Sequence, residues 1–205
     1  TIVKVFVFST GILFAEKSSY NSVLGVPLRF NNPIDIFYNP SLYNDYIHAR
    51  SLDFNSHETR NWIKGLWSRI GYLIDDNMRI CGENLYAVHT IKYENLNSYF
   101  MMFSVWIDNT CLSWEETVEY AKILDLDVVP IIYEGIYDKE KIINSFSKYK
   151  NSHEGYVVRL AEEFTYGQFR KSIAKYVNPD FRQKVNNSHG NWISKKIETN
   201  KLKEK

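Results

Sequence analysis

The hydrophobic positions of the chain change between helix-like and strand-like spacing along its length. After Ser56 apolar residues recur at three- and four-residue steps with basic residues between them, which predicts an amphipathic helix; the apolar positions are Trp62, Ile63, Leu66, Trp67 and Ile70. Runs rich in aromatic and apolar residues, bounded by polar connectors, predict strands at 79–89, 98–106, 128–133 and 154–160. Because strands and helices do not alternate regularly, the pattern favours an α+β fold over a doubly wound parallel sheet.

Two further helices are predicted from their first residues. Ser113 opens the string S-W-E-E, a capping box in which Glu116 bonds back to the start of the helix. Asp138 is placed as the N-cap of a helix that continues through 142–143. We expect two antiparallel β-sheets with flanking helices and a cleft between the packed layers.

The first 46 residues have a less regular pattern than the rest. The apolar stretch VFVFSTGILFA predicts a buried strand rather than a signal sequence, because it lacks an A-x-A-like end and continues into Glu16 and Lys17. The rest of the segment is broken by one glycine and three prolines: Gly25, Pro27, Pro33 and Pro40. We interpret 1–46 as a divergent segment of the same domain and 47–205 as its main body.

Composition and charge restrict the class of protein. A length of 205 residues is close to that of one domain, and 25 Lys plus Arg against 24 Asp plus Glu give a net charge of +1. Any site for a polyanion must therefore be a local cleft. Cys81 and Cys111 are too few for a disulfide framework and lack zinc-site spacing, which favours a reducing, cytoplasmic location. Since no run of 18 apolar residues occurs, we expect no membrane partner.

Two glutamates lie next to glycines in segments predicted to form strands. Glu83 follows Gly82 within an apolar strand, where a carboxylate is costly unless it is paired or used. It is either an acceptor for a ligand, for example for a ribose hydroxyl, or the partner of a structural arginine. Glu154 precedes Gly155 and a strand, so the same reasoning applies, with a solvent-exposed edge position as the alternative.

Three more residues have both a functional and a structural interpretation. Lys175 is a cation among apolar neighbours and suits a phosphate, or it is a surface lysine with a buried stem. Arg50 follows a predicted strand and would bind a phosphate or pair with Asp53. Phe103 would stack on a base or belong to the core. The histidines show no metal-ligand spacing and are interpreted as structural; they are His48, His57, His89, His153 and His189.

Along the chain the candidates follow the order Arg50, Gly82-Glu83, Phe103, Glu154-Gly155 and Lys175. This order resembles the covalent nucleotidyltransferase superfamily, and within it the ATP-dependent RNA ligase family of the phage and kinetoplastid-editing type. The likeness extends over about 43–202, and its firmest strings are IHARSLD, ICGENLYA, the strand from SYF to SVW, LSWEETVE, EGYVVR and AKYV. DNA ligases and mRNA-capping guanylyltransferases share the chemistry of the superfamily. ICGENLYA and LSWEETVE are more similar to the RNA ligase branch.

The resemblance implies an ATP-grasp-like nucleotidyltransferase (adenylation) domain that uses ATP and Mg²⁺ and acts on RNA. We expect the protein to be a monomer. In such ligases a lysine attacks the α-phosphorus of ATP to form lysyl-AMP, and later steps join a 5′-phosphate to a 3′-hydroxyl. By resemblance Glu83 would accept from the ribose, Phe103 would stack on adenine and Lys175 would hold the α-phosphate. Glu154 would orient the metal or the nucleophile, and Arg50 would contact the nucleotide or the incoming strand.

The nucleophile is where the resemblance fails. The family carries it in a K-x-D-G element, and these 205 residues contain no K-x-D-G. A gapless comparison puts Ile34 at the lysine position, whereas a gapped one uses Lys17, which follows a glutamate. Three hypotheses therefore remain open: a ligase whose nucleophile is Lys17 or an unidentified residue, a non-catalytic module that binds nucleotide or nucleic acid, and the product of a damaged gene.

Overall fold

The structure is a computed structural model that describes residues 1–8, 12–17, 33–34, 37–39, 44–45, 47–48, 61–75, 77–88, 91–181 and 197–204. Its helices are α1 (Asn61–Ile70), α2 (Trp114–Ile123), α3 (Lys139–Ser147) and α4 (Phe169–Ser172). Its strands are β1 (Ile2–Phe8), β2 (Ile12–Lys17), β3 (Pro33–Ile34), β4 (Phe37–Asn39), β5 (Asn44–Asp45), β6 (Ile47–His48), β7 (Met78–Asn84), β8 (Phe100–Ile107), β9 (Thr110–Cys111), β10 (Asp127–Val128), β11 (Ile131–Ile136), β12 (Gly155–Leu160), β13 (Phe164–Thr165) and β14 (Ile173–Val177).

The strands form two sheets. The first has the order β11-β1-β12-β14, with every neighbouring pair antiparallel. The second has the main order β13-β9-β8-β7-β2-β4-β5 and is antiparallel through its long strands, with two-residue parallel pairings at its margins. The predicted α+β class with two antiparallel sheets and flanking helices is confirmed.

The opening apolar stretch supplies a strand to each sheet. It was predicted as one buried strand, but β1 pairs with β11 and β12 in the first sheet, whereas β2 pairs with β7 in the second. Only residues 9–11 separate the two strands. The chain therefore crosses from one sheet to the other within this stretch, and the end of β1 lies close to the start of β2.

The two sheets face each other across one apolar layer, which we call the inter-sheet layer. Its members include aromatic residues from both sheets; they are Phe6 and Phe8 of β1, Val157 of β12, Cys81 of β7, and Phe103 and Trp106 of β8. Both cysteines are buried thiols, and burial raises the pKa of Cys111 to about 11. The layer is therefore a low-dielectric environment in which charged groups need partners.

Helices cover the outer faces of both sheets. The predicted apolar face of α1 is confirmed, because Ile63, Leu66, Trp67 and Ile70 are buried against β7 and β8. On the other side Ile142 of α3 packs against Val3 and Val5 of β1.

Both predicted helix starts are confirmed. Ser113 and Glu116 form the reciprocal capping box of α2, and Asp138 accepts hydrogen bonds from two backbone N–H groups of α3. Within the described part of the chain no helix is long and apolar enough to cross a membrane.

A buried arginine joins the two sheets. Arg159 of β12 is 1 % exposed, and it donates to the carbonyl oxygens of Phe103 at 3.1 Å and Leu112 at 2.7 Å, which belong to the second sheet and the segment that follows it. Its guanidinium also lies 5.8 Å from the centre of the Trp114 ring and 5.6 Å from that of Phe164. Burial lowers the pKa of Arg159, but the group supplies donors that the carbonyls of the layer require.

We expect Arg159→Met to lower the free energy of unfolding by about 3 kcal/mol, because it removes the hydrogen bonds of Arg159 to two buried carbonyls. Arg170→Met is the matched control, since Arg170 is exposed on α4 and should change stability by less than about 0.5 kcal/mol. Urea denaturation followed by tryptophan fluorescence measures both. Equal effects of the two substitutions would contradict the bridging role of Arg159.

Candidate functional site

The carboxylate of Glu83 belongs to the inter-sheet side of the second sheet. Glu83 is 4 % exposed and stands opposite Met101 of β8, which packs against the inter-sheet layer. Cross-strand partners lie on the same face of a sheet, as do residues two apart, and Cys81 also belongs to this layer. The strand register therefore directs Glu83 towards the first sheet.

Gly82 of β7 allows β8 to approach closely beside Glu83. A Cβ at Gly82 would lie 2.4 Å from the Phe100 ring and 2.7 Å from the Met101 carbonyl oxygen. The glycine next to Glu83 thus permits a close approach of β8, and a register shift between Cys81 and Gly82 accompanies it.

Lys175 faces the layer from the first sheet. It lies between Ile173 and Val177 on β14, both of which pack against the layer, so alternation directs its side chain to the same face. Its ammonium nitrogen Nζ is 3.9 Å from the centre of the Phe8 ring. A cation over an aromatic face is electrostatically favoured, which accounts for a charge at the edge of an apolar layer.

Phe103 lies in the inter-sheet layer and stacks on another phenylalanine. Its ring centre is 5.6 Å from that of Phe6, with an interplanar angle of 18°. One face of the Phe103 ring is therefore covered by Phe6. Stacking on a base would use the opposite face.

Glu154 is buried at the junction of three strands. It is 2 % exposed, its N–H donates to the Phe8 carbonyl oxygen at 3.2 Å, and its carbonyl accepts from the Asn178 N–H at 2.8 Å. These bonds fix Glu154 between the end of β1 and the end of β14. The solvent-exposed edge position considered from the sequence does not apply.

Four of the sequence candidates thus lie on the inter-sheet faces or at the end of β1, whereas Lys17 and Ile34 lie elsewhere. Lys17 ends β2, and Ile12, five residues earlier, is the register partner of Glu83. At about 3.3 Å per residue this separation is about 17 Å along the strand. Ile34 of β3 stands beside Leu13, and Arg50 lies outside the described residues.

Gly155 lets β1, β12 and β14 come together at this place. It pairs with Phe8 on one side and Val177 on the other, and a Cβ there would lie 1.9 Å from the Tyr176 carbonyl oxygen and 2.8 Å from the Phe8 ring. The E-G dipeptide therefore has a physical reason, since any side chain at Gly155 would separate these strands.

The residues described do not build a metal site by themselves. No group of three or more His, Cys, Asp or Glu side chains within them is placed to hold a metal ion. Glu154 remains a single candidate ligand. Mg²⁺ commonly uses one or two carboxylates together with substrate phosphates, so a magnesium ion here would depend on the phosphates of a bound nucleotide.

The family is established by the match to a family model. The model described as RNA ligase matches residues 10–177, which is more than half of the chain. This chain belongs to the RNA ligase family. The match begins well before 43, where the sequence likeness was placed, so it includes β2 of this family member. A search of curated proteins found no match.

Two solved structures align with this RNA ligase family member. A protein described as an ATP-dependent DNA ligase from Aquifex aeolicus has a TM-score of 0.52 at 16 % identity, over 87 % of this chain and 44 % of that one. The Naegleria gruberi RNA ligase with PPi has a TM-score of 0.47 at 14 % identity, over 91 % of this chain and 52 % of that one. The chain thus spans about half the length of each.

Sequence reasoning missed Phe8. Its ring lies under the Lys175 ammonium and its backbone bonds to Glu154, although phenylalanine carries no catalytic group. The available signal was Gly11, which follows Phe8 by the same three residues that separate lysine from glycine in K-x-D-G.

We expect Gly155→Ala to lower the free energy of unfolding by about 2–3 kcal/mol, because the added methyl overlaps a backbone oxygen that cannot move freely. Gly65→Ala in α1 is the control: nothing lies within 4 Å of its added Cβ, and it should stabilise by about 0.5–1 kcal/mol. Thermal and urea denaturation measure both. A neutral Gly155→Ala would show that the strands are not held this closely.

His153, next to Glu154, should make stability depend on pH. Burial lowers its pKa from 6.5 to about 4, so between these values the unfolded chain binds a proton that the folded chain does not. The contribution of His153 to stability is fully present above pH 6.5 and is lost as the pH falls towards 4. We expect His153→Gln to remove on the order of 1–2 kcal/mol of this loss, measured as urea midpoints of both proteins at pH 7 and 4.5. If the urea midpoints of both proteins fall by the same amount between pH 7 and 4.5, the role of His153 in this pH dependence is contradicted.

Proposed function

We propose that this chain is the nucleotide-binding adenylation domain of an ATP-dependent RNA ligase, and that it holds ATP noncovalently between its two sheets. One observation carries the proposal. Glu83 of β7, Phe103 of β8 and Lys175 of β14, which are distant in sequence, all belong to the inter-sheet faces of their sheets. This convergence is what a single nucleotide site would require.

Each side chain has the chemistry for one part of ATP. The ammonium of Lys175 is a compact charge with three donors and suits the α-phosphate. The carboxylate of Glu83 can accept from ribose hydroxyls, since an ionised carboxylate is an acceptor only. Phe103 offers an apolar ring face to adenine, with Phe6 supporting the other face.

The covalent step is the part of the family chemistry that this geometry does not support. Formation of lysyl-AMP needs a lysine amine at the α-phosphorus, and Lys17 lies about 17 Å along β2 from the register partner of Glu83. We therefore propose binding of ATP without self-adenylylation. Joining of a 5′-phosphate to a 3′-hydroxyl on RNA would then depend on a 5′ end that already carries AMP.

Magnesium and RNA enter the proposal through the nucleotide. Mg²⁺ would accompany the phosphates of ATP, with Glu154, whose backbone N–H donates to Phe8 at the end of β1, as the candidate protein carboxylate. Because the net charge is only +1, the protein would recognise RNA by binding its 5′ and 3′ ends near the cleft rather than through a global cationic surface. A cytoplasmic location remains part of this proposal.

The test is stabilisation of the protein by ATP. At an ATP concentration one hundred times Kd, linkage predicts a gain of about 2.7 kcal/mol, which raises Tm by about 5–10 °C for a domain of this size. Lys175→Met and Glu83→Gln should abolish most of the shift. Lys171→Met is the matched control, because Lys171 is exposed on α4, and its shift should equal that of the wild type.

Labelling with ATP that carries the isotope in its α-phosphate distinguishes the two modes of binding. We expect no label on the wild-type protein after denaturing electrophoresis. Label that disappears in Lys17→Met would instead support lysyl-AMP formation at Lys17. Absence of any ATP-dependent shift in Tm would contradict nucleotide binding itself.

A further inference from the structure

The ring of Phe8 lies next to the place that we propose for the α-phosphate. Phe8 is the last residue of β1, is 1 % exposed, and lies 3.9 Å from Lys175 Nζ. Its carbonyl accepts from the Glu154 N–H, and it stands opposite Gly155. The two backbone contacts fix the position of Phe8 at the end of β1, and the cation–π contact places its ring beside the cation that we assign to the α-phosphate.

An attacking group must lie close to this cation. Reacting atoms need to approach to about 3–3.5 Å, and a phosphate oxygen bound to Lys175 Nζ would lie about 2.8 Å from that nitrogen. The nucleophile must consequently reach within a few ångströms of Nζ, which is where the Phe8 ring lies. A phenyl ring has no lone pair with which to attack phosphorus.

The sequence around Phe8 has the spacing of the missing element. In F-S-T-G, Phe8 precedes Gly11 by three residues, as lysine precedes glycine in K-x-D-G. The family match begins at residue 10, inside this string. Four residues from Phe8, Ile12 is the register partner of Glu83, so the Cα atoms of Phe8 and Ile12 are at most about 14 Å apart.

We infer that Phe8 stands where an amine would attack the α-phosphorus, and that lysine at this single position would restore self-adenylylation. This inference rests on the proposed ATP site. In the restored step the amine nitrogen of the new lysine forms a bond to the α-phosphorus. The bond from that phosphorus to the bridging oxygen breaks, pyrophosphate leaves with the electron pair, and the nitrogen loses its proton to solvent.

Lys175 would activate such an amine. A like charge within a few ångströms disfavours the protonated form of an amine, and so does the apolar layer around Phe8. Both effects increase the fraction of neutral nucleophile at pH 7. The surroundings needed by a catalytic lysine are therefore present, although the lysine is not.

The experiment compares Phe8→Lys with Phe8→Met, an unbranched neutral control, using ATP labelled at the α-phosphate with Mg²⁺. We expect acid-labile label on Phe8→Lys at least about tenfold above the wild type and Phe8→Met. Adding Lys175→Met to Phe8→Lys should remove that label. Label on the wild-type protein, or a folded Phe8→Lys that binds ATP without becoming labelled, would overturn the inference.

A second variant serves if a lysine at this buried position prevents folding. Phe8→Ala leaves a ring-sized space beside Lys175, which a small primary amine such as butylamine can enter. The expected product is the phosphoramidate of butylamine and AMP, formed at least about tenfold faster than with the wild type. No product from a folded Phe8→Ala that binds ATP would also overturn the inference.

The two proposals fail in different ways. The shift of Tm by ATP is recorded for every variant alongside the label. If ATP does not shift the Tm of the wild-type protein, the proposed nucleotide site is contradicted, and so is the inference that rests on it. If the Phe8 variants are stabilised by ATP but transfer no AMP, only the role assigned to Phe8 is contradicted.

Discussion

The structure depends on the packing of two sheets against one apolar layer. Aromatic side chains fill this layer, and Arg159 crosses it to donate to carbonyl oxygens of the opposite side. A buried guanidinium is costly by itself, but here it donates to two buried backbone carbonyls. The layer therefore sets the distance between the sheets, and with it the width of any cleft that opens along their edges.

The same layer determines which polar side chains can form a site. Glu83 and Lys175 enter it from opposite sheets because strand alternation directs every second residue inward. Glycines at 82 and 155 permit the close approach of the neighbouring strands and rings. The sheet packing and the proposed site thus depend on one arrangement, so substitutions that disturb the packing should also disturb the nucleotide binding that we propose.

Phe8 links the packing of the family fold to the chemistry that we propose for this chain. The residue belongs to the inter-sheet layer, and its ring supports the Lys175 ammonium by a cation–π contact. An aromatic side chain is favourable for packing at this position, whereas a lysine there would face both desolvation and a like charge.

The sequence by itself determined the α+β class, the helix starts at Ser113 and Asp138 and the apolar face of α1, because these follow from local periodicity and capping. It also selected Glu83, Phe103, Glu154 and Lys175 as candidates through their surrounding strings. Only the tertiary structure decided that the opening stretch divides between two sheets, that Lys17 lies far along β2 and that Phe8 meets Lys175. These facts depend on strand register and on contacts between distant segments, which spacing along the chain does not encode.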